Sequence, residues 1–117
     1  MGGTVRIQGA DAKSNSSAAE ASRIACTSAA RLYTVVVFNN SASDQYLQVF
    51  DASSVPANGT VPVLTTKVLA GQTGSFEFGD GIPMSTGITV CNSSTATTKT
   101  LGSADCLFCV TYRARLT

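Results

Sequence analysis

From Leu32 to the C-terminal region, β-branched and aromatic residues come in short runs of five to nine, separated by clusters of Gly, Asn, Ser and Asp. That pattern excludes a helical bundle, because the runs are too short and too rich in Val, Thr, Phe and Tyr to sustain a 3.6-residue period. It predicts strands at 31–39, 45–51, 61–69, 73–79, 86–92 and 105–113, with a further short one at 97–101. In the last of the main runs, Cys106, Phe108, Val110 and Tyr112 alternate with Leu107, Cys109, Thr111 and Arg113. Successive side chains of a strand point to opposite faces, so the first set is expected in a core and the second outside it. Between the runs lie Asn39-Asn40-Ser41, Asn58-Gly59, Ala70-Gly71, Gly79-Asp80-Gly81 and Asn92-Ser93-Ser94, read as turns. Pro62 lacks a ladder donor, which puts the start of its strand at an edge or a bulge. The fold class is therefore all-β, an antiparallel two-sheet sandwich.

Residues 1–30 read differently, as an extended N-terminal arm before a sandwich domain at 31–117. They are rich in Gly, Ala and Ser, and only Val5 and Ile7 alternate with polar neighbours. Ala18 to Cys26 suits a helical turn or two, capped by Ser16 or Ser17, but helices this short are marginal without a partner.

The chain contains no histidine. This removes Ser-His-Asp and Cys-His machinery and the commonest general base near neutral pH. The seven carboxylates, Asp11, Glu20, Asp44, Asp51, Glu77, Asp80 and Asp105, lie mostly beside turns, where they satisfy backbone donors. Cys106-Leu107-Phe108-Cys109 matches C-x-x-C, but an odd offset on a strand sends the two sulfurs to opposite faces, whereas a zinc or redox pair must converge. Gly79-Asp80-Gly81 lacks the alternating oxygen ligands of a calcium loop. No catalytic residue, metal or cofactor is expected. Charged residues make up only 13% of the chain, and the net charge of +1 is scattered singly. No stripe of charge tracks a phosphate backbone or an anionic membrane, so neither nucleic acid nor membrane is an expected partner. Nor is any run long enough for a transmembrane helix or a secretory signal, and a cytoplasmic origin is expected. A Ser- and Thr-rich surface of this kind costs little to desolvate against another protein.

Four segments within Arg31 to Tyr112 carry a family resemblance: FNNSASDQYLQVFDA (38–52), VPANGTVPV (55–63), FGDGIPMSTGITVCNSST (78–95) and TKTLGSADCLFCVTYR (98–113). They resemble small β-sandwich proteins of tailed-phage structural gene clusters, above all capsid cement or decoration proteins. The resemblance implies a jelly-roll-like body and a virion structural role, stabilising the head by binding across subunits of the major capsid protein. It also implies assembly in the host cytoplasm and a final place on the capsid surface. The alternative is a head-fibre or tail-associated module or, from another functional class, a receptor- or carbohydrate-binding virion module. On this reading the arm is a clamp, with Val5, Arg6, Ile7 and Ile24 as the expected partner-binding residues. Self-association is expected as well, most readily as a dimer joined through sheet edges.

Overall fold

A computed structural model of the chain describes residues 9–114. Among them there are eight strands: β1 (Ala12–Asn15), β2 (Ser22–Cys26), β3 (Ala30–Asn39), β4 (Gln45–Phe50), β5 (Leu64–Val68), β6 (Thr73–Met84), β7 (Ile88–Ser93) and β8 (Cys106–Arg113). They form two four-stranded antiparallel sheets, of order β1-β8-β3-β6 (sheet A) and β2-β7-β4-β5 (sheet B). The all-β sandwich expected from the alternation is thus present.

The core is filled by the inward-facing side chains of both sheets. Leu32, Val35 and Val37 of β3 and Phe108 and Val110 of β8 meet Leu47 and Val49 of β4 and Ile88 and Val90 of β7, all of them buried. Cys106, Phe108 and Val110 face inward and Tyr112 packs on the rim of this cluster, as the two-residue period requires. Burying each such aliphatic side chain contributes about 1.5–3 kcal/mol, and these residues hold the two sheets together.

The pairing is nested. β1 bonds to β8, β2 to β7, β3 to β6 and β4 to β5, as though one long hairpin had been rolled up, and the contacts β3–β8 and β4–β7 close the roll. The innermost connection is the 51–63 loop between β4 and β5.

Four expectations need correction. Residues 1–30 are not an arm throughout: Ala12–Asn15 and Ser22–Cys26 are edge strands of the two sheets. The segment between them is tied down too, since Ser16 N–H donates to Phe108 O and Glu20 exchanges both backbone hydrogen bonds with Cys106. The stretch from Ala18 to Cys26 therefore ends in a strand rather than in helical turns, because pairing with β7 satisfies backbone groups that a lone short helix would leave frayed. Gly79-Asp80-Gly81 is not a turn between strands but a bulge inside β6. Opposite it the register of β3 slips between Leu32 and Thr34, and Tyr33 occupies the slip. Gly81 has φ 78° there, and a Cβ would collide with the Arg31 stem. The expected short strand at 97–101 reduces to a single bridge between Ser93 and Leu101. Pro62 does precede an edge strand, β5.

Candidate functional site

The outward face of sheet B carries Gln48 and Phe50 on β4 and Thr89, Cys91 and Ser93 on β7, and all five are buried although they point away from the core between the sheets. Two long loops cover them, 51–63 and 94–105, and they are fastened to the sheet and to each other. Gln48 Nε2 donates to the carbonyls of Thr95 (2.9 Å), Ala96 (3.2 Å) and Thr98 (3.2 Å). Between the loops, Gly59 N–H donates to Lys99 O (2.7 Å) and Lys99 N–H to Thr60 O (2.8 Å). Asn58 Oδ1 accepts from Lys99 Nζ (2.8 Å) and from Leu101 N–H (3.1 Å). Asn58-Gly59, a turn signal in the sequence, thus forms the clasp, and Gly59 takes the positive φ of 95°. Lys99 is only 3% exposed, so the one cation of this layer is folded under it. Burial pushes the Cys91 thiol up to about 11, partly offset by the Lys99 ammonium nearby.

Among the Ser, Thr and Asn side chains that the clasp shows to solvent are four large aliphatic ones. Val61 is 70% exposed, Val63 52%, Leu101 41% and Val55 39%. No residue from Ala52 to Thr66 is charged. The loop is anchored at both ends, by Thr89 Oγ1 donating to Ala52 O (2.9 Å) and Val63 N–H donating to Val49 O (2.8 Å). Ile24, on β2, is exposed beside Thr89 on this same side of the sandwich. Four exposed aliphatic side chains on two fastened loops, with Lys99 buried beneath them, form a preorganised contact surface, because little entropy remains to be lost when a partner covers them.

Of the residues expected to bind a partner, the structure thus places Ile24 on a surface with further apolar residues. Val5, Arg6 and Ile7 lie outside the described residues. The sequence reading missed Val55, Val61, Val63 and Leu101, taking Val61 and Val63 as part of a strand. The signal that could have found them is the fifteen-residue absence of charge with Pro56 and Pro62 inside it, which marks a long loop held in place.

Several chemical groups elsewhere are engaged in structure. Cys106 is in the core and Cys109 on the opposite face of β8, so the C-x-x-C pair diverges. Asp51 accepts from the backbone of Ser85 (3.0 Å), Thr86 (2.8 Å) and Gly87 (3.3 Å) and from the Ser85 hydroxyl (3.1 Å). Burial raises its pKa, but these donors outweigh that and hold it below the usual carboxylate value. Glu20 binds Arg23 and Ser16, and Asp44 binds Lys67 and Ala70 N–H. Among the described residues no group of three or more His, Cys, Asp or Glu could hold a metal ion. No family model matches the chain, and neither a curated protein nor a solved structure matches it.

Proposed function

We propose that the chain is a virion structural protein of a tailed bacteriophage, a capsid cement or decoration protein that stabilises the head by binding across subunits of the major capsid protein. The observation that carries this reading is the fastened loop surface of Val55, Val61, Val63 and Leu101, which suits permanent contact with another protein better than exchange of a small substrate. The strand order supports it. Sheets of order β1-β8-β3-β6 and β2-β7-β4-β5, nested as a rolled hairpin, support the jelly-roll-like body that the resemblance implies, an architecture that recurs in viral capsid domains. The resemblance of residues 38–52, 55–63, 78–95 and 98–113 to phage decoration proteins points the same way. On this reading the protein folds in the host cytoplasm and ends on the capsid surface.

The test is co-sedimentation with DNA-filled heads from a phage that carries this gene. Wild-type protein is expected in the head fraction, and Val61→Asp with Val63→Asp is expected to reduce its retention at least ten-fold while leaving the circular dichroism unchanged, since both side chains already face water. Absence of the wild-type protein from purified heads overturns the proposal.

A further inference from the structure

Among the described residues no loop covers the outward face of sheet A, on the other side of the molecule from the loop clasp. Its residues fall in three cross-strand rows, read directly from the register. The first is Lys13 (β1), Thr111 (β8), Thr34 (β3) and Glu77 (β6). The second is Asn15, Cys109, Val36 and Ser75, and the third sets Leu107 beside Phe38 and Thr73. The middle of this face is apolar: Val36, Phe38 and Cys109 are half-buried, and Leu107 is exposed. Charge sits only at its two lateral margins, a lysine on β1 and a glutamate on β6, and neither forms an ion pair among the described residues. Thr34 and Thr111 satisfy each other through a 2.6 Å hydroxyl hydrogen bond between those margins.

We infer that this face is a homodimer interface in which a second copy packs sheet on sheet about a two-fold axis parallel to the strands, running between β8 and β3. Such an axis lays β1 of one copy over β6 of the other and β8 over β3. Lys13 of each copy then faces Glu77 of the other, twice, while Phe38 meets Leu107 and Val36 meets Cys109. A two-fold axis in the sheet plane but perpendicular to the strands would lay β1 over β1 and β6 over β6, so Lys13 would never meet Glu77; only the parallel axis pairs the two charges. Sheets stack face to face at about 10 Å with nearly aligned strands, which this geometry meets.

The edges, by contrast, are poorly suited to pairing. β1 and β5 are short and carry Lys13 and Lys67, β2 is interrupted by a register shift between Ile24 and Cys26, and β6 carries the Gly79–Gly81 bulge and Pro83. These are the devices that blunt sheet edges. Beyond the first row the bulge at Tyr33 ends the flat surface, and Arg31 and Arg113 there are engaged in their own chain, with the Asp80 and Gly81 carbonyls and with Gly9 O and Asp11 respectively. The flat part is about 19 Å by about 20 Å, or about 380 Å² per copy, below the usual size of stable specific interfaces, so the dimer is weak and forms reversibly with concentration. The inference does not depend on binding to a phage head.

Zero-length carbodiimide coupling of an equimolar mixture of isotopically light and heavy protein tests it without a particle. Lys13 and Glu77 of one copy are three strand spacings apart, roughly 14 Å, too far to be joined directly. The expected product is a Lys13–Glu77 peptide pair of mixed isotope content, with a concentration-dependent dimer in sedimentation velocity. Leu107→Asp is expected to shift the midpoint of dimerisation at least ten-fold, Lys13→Glu to weaken the dimer, and Lys13→Glu with Glu77→Lys to restore it. A wild-type chain that stays monomeric at all concentrations overturns the inference, as does a dimer that lacks the mixed cross-link and is indifferent to Leu107→Asp.

Discussion

Single side chains in this protein do their work mainly by holding loops. Asp51 stands at the end of β4 and collects three backbone N–H groups from the turn between β6 and β7, so its carboxylate must be charged for the turn to be fully satisfied. Its pKa is lower in the folded chain than in the unfolded one. The stability it supplies is therefore complete above the unfolded carboxylate pKa of about 3.9 and is lost as pH falls through the depressed folded value. Asp51→Asn is expected to lower stability by about 1–2 kcal/mol at pH 7, with the difference from wild type shrinking below about pH 4. Urea midpoints at pH 7 and pH 3 check this; an equal difference at both would remove the carboxylate from the account. The thiols make a second prediction. Burial pushes Cys91 and Cys106 to about 11, leaving little thiolate at neutral pH, and Cys26 is buried as well. Cys109, on the outward face of sheet A, is expected to react with a disulfide reagent in the dilute folded protein, and the other three only on unfolding. Four equal rates would contradict the packing.

At the level of strands, the pattern could be read wherever one face of a segment is strongly apolar. β8 and β3 announce themselves, since Phe108 and Val110, like Val35 and Val37, alternate with polar or half-exposed neighbours. β1 and β2 do not. Ala12-Lys13-Ser14-Asn15 lies at a sheet edge and buries little, so its alternation is written in small and polar residues that look like linker. The glycines of β6 mislead for another reason: Gly79 and Gly81 signal a special backbone, but a bulge and a turn need the same freedom, and only the partner strand decides between them. The candidate surface was legible only as a lack of charge, because nothing local in Val61 or Val63 says that the loop holding them is fastened to Lys99 and Thr60. A truncation series tests the strand assignment. Removing residues 2–8 is expected to leave the circular dichroism and the cooperativity of unfolding unchanged. Removing 2–28 deletes β1 and β2, uncovers the edges of β8 and β7, and is expected to abolish cooperative unfolding. If the longer truncation unfolds like the intact chain, β1 and β2 do not belong to the sandwich.

For the molecule as a whole, the two broad faces have different characters. Among the described residues, the outward side of sheet B is sealed by loops that carry exposed aliphatic side chains, whereas the outward side of sheet A is bare strand with its charges, Lys13 and Glu77, at the lateral margins. On the two proposals made above, the chain would hold a large partner with one side and a copy of itself with the other, and two linked copies would gain avidity without any new contact. The rolled-hairpin pairing also sets a timetable for making the protein. Among the described strands, the first to be synthesised, β1, pairs with the last, β8, and the second with the seventh. At translation rates of about 5–20 residues per second, β1 waits roughly 5–20 s for its partner. Through that interval Leu32, Val35 and Val37 have only part of their final cover, so each nascent chain passes through a stage at which it can stick to others, and how much protein matures depends on how crowded its site of synthesis is.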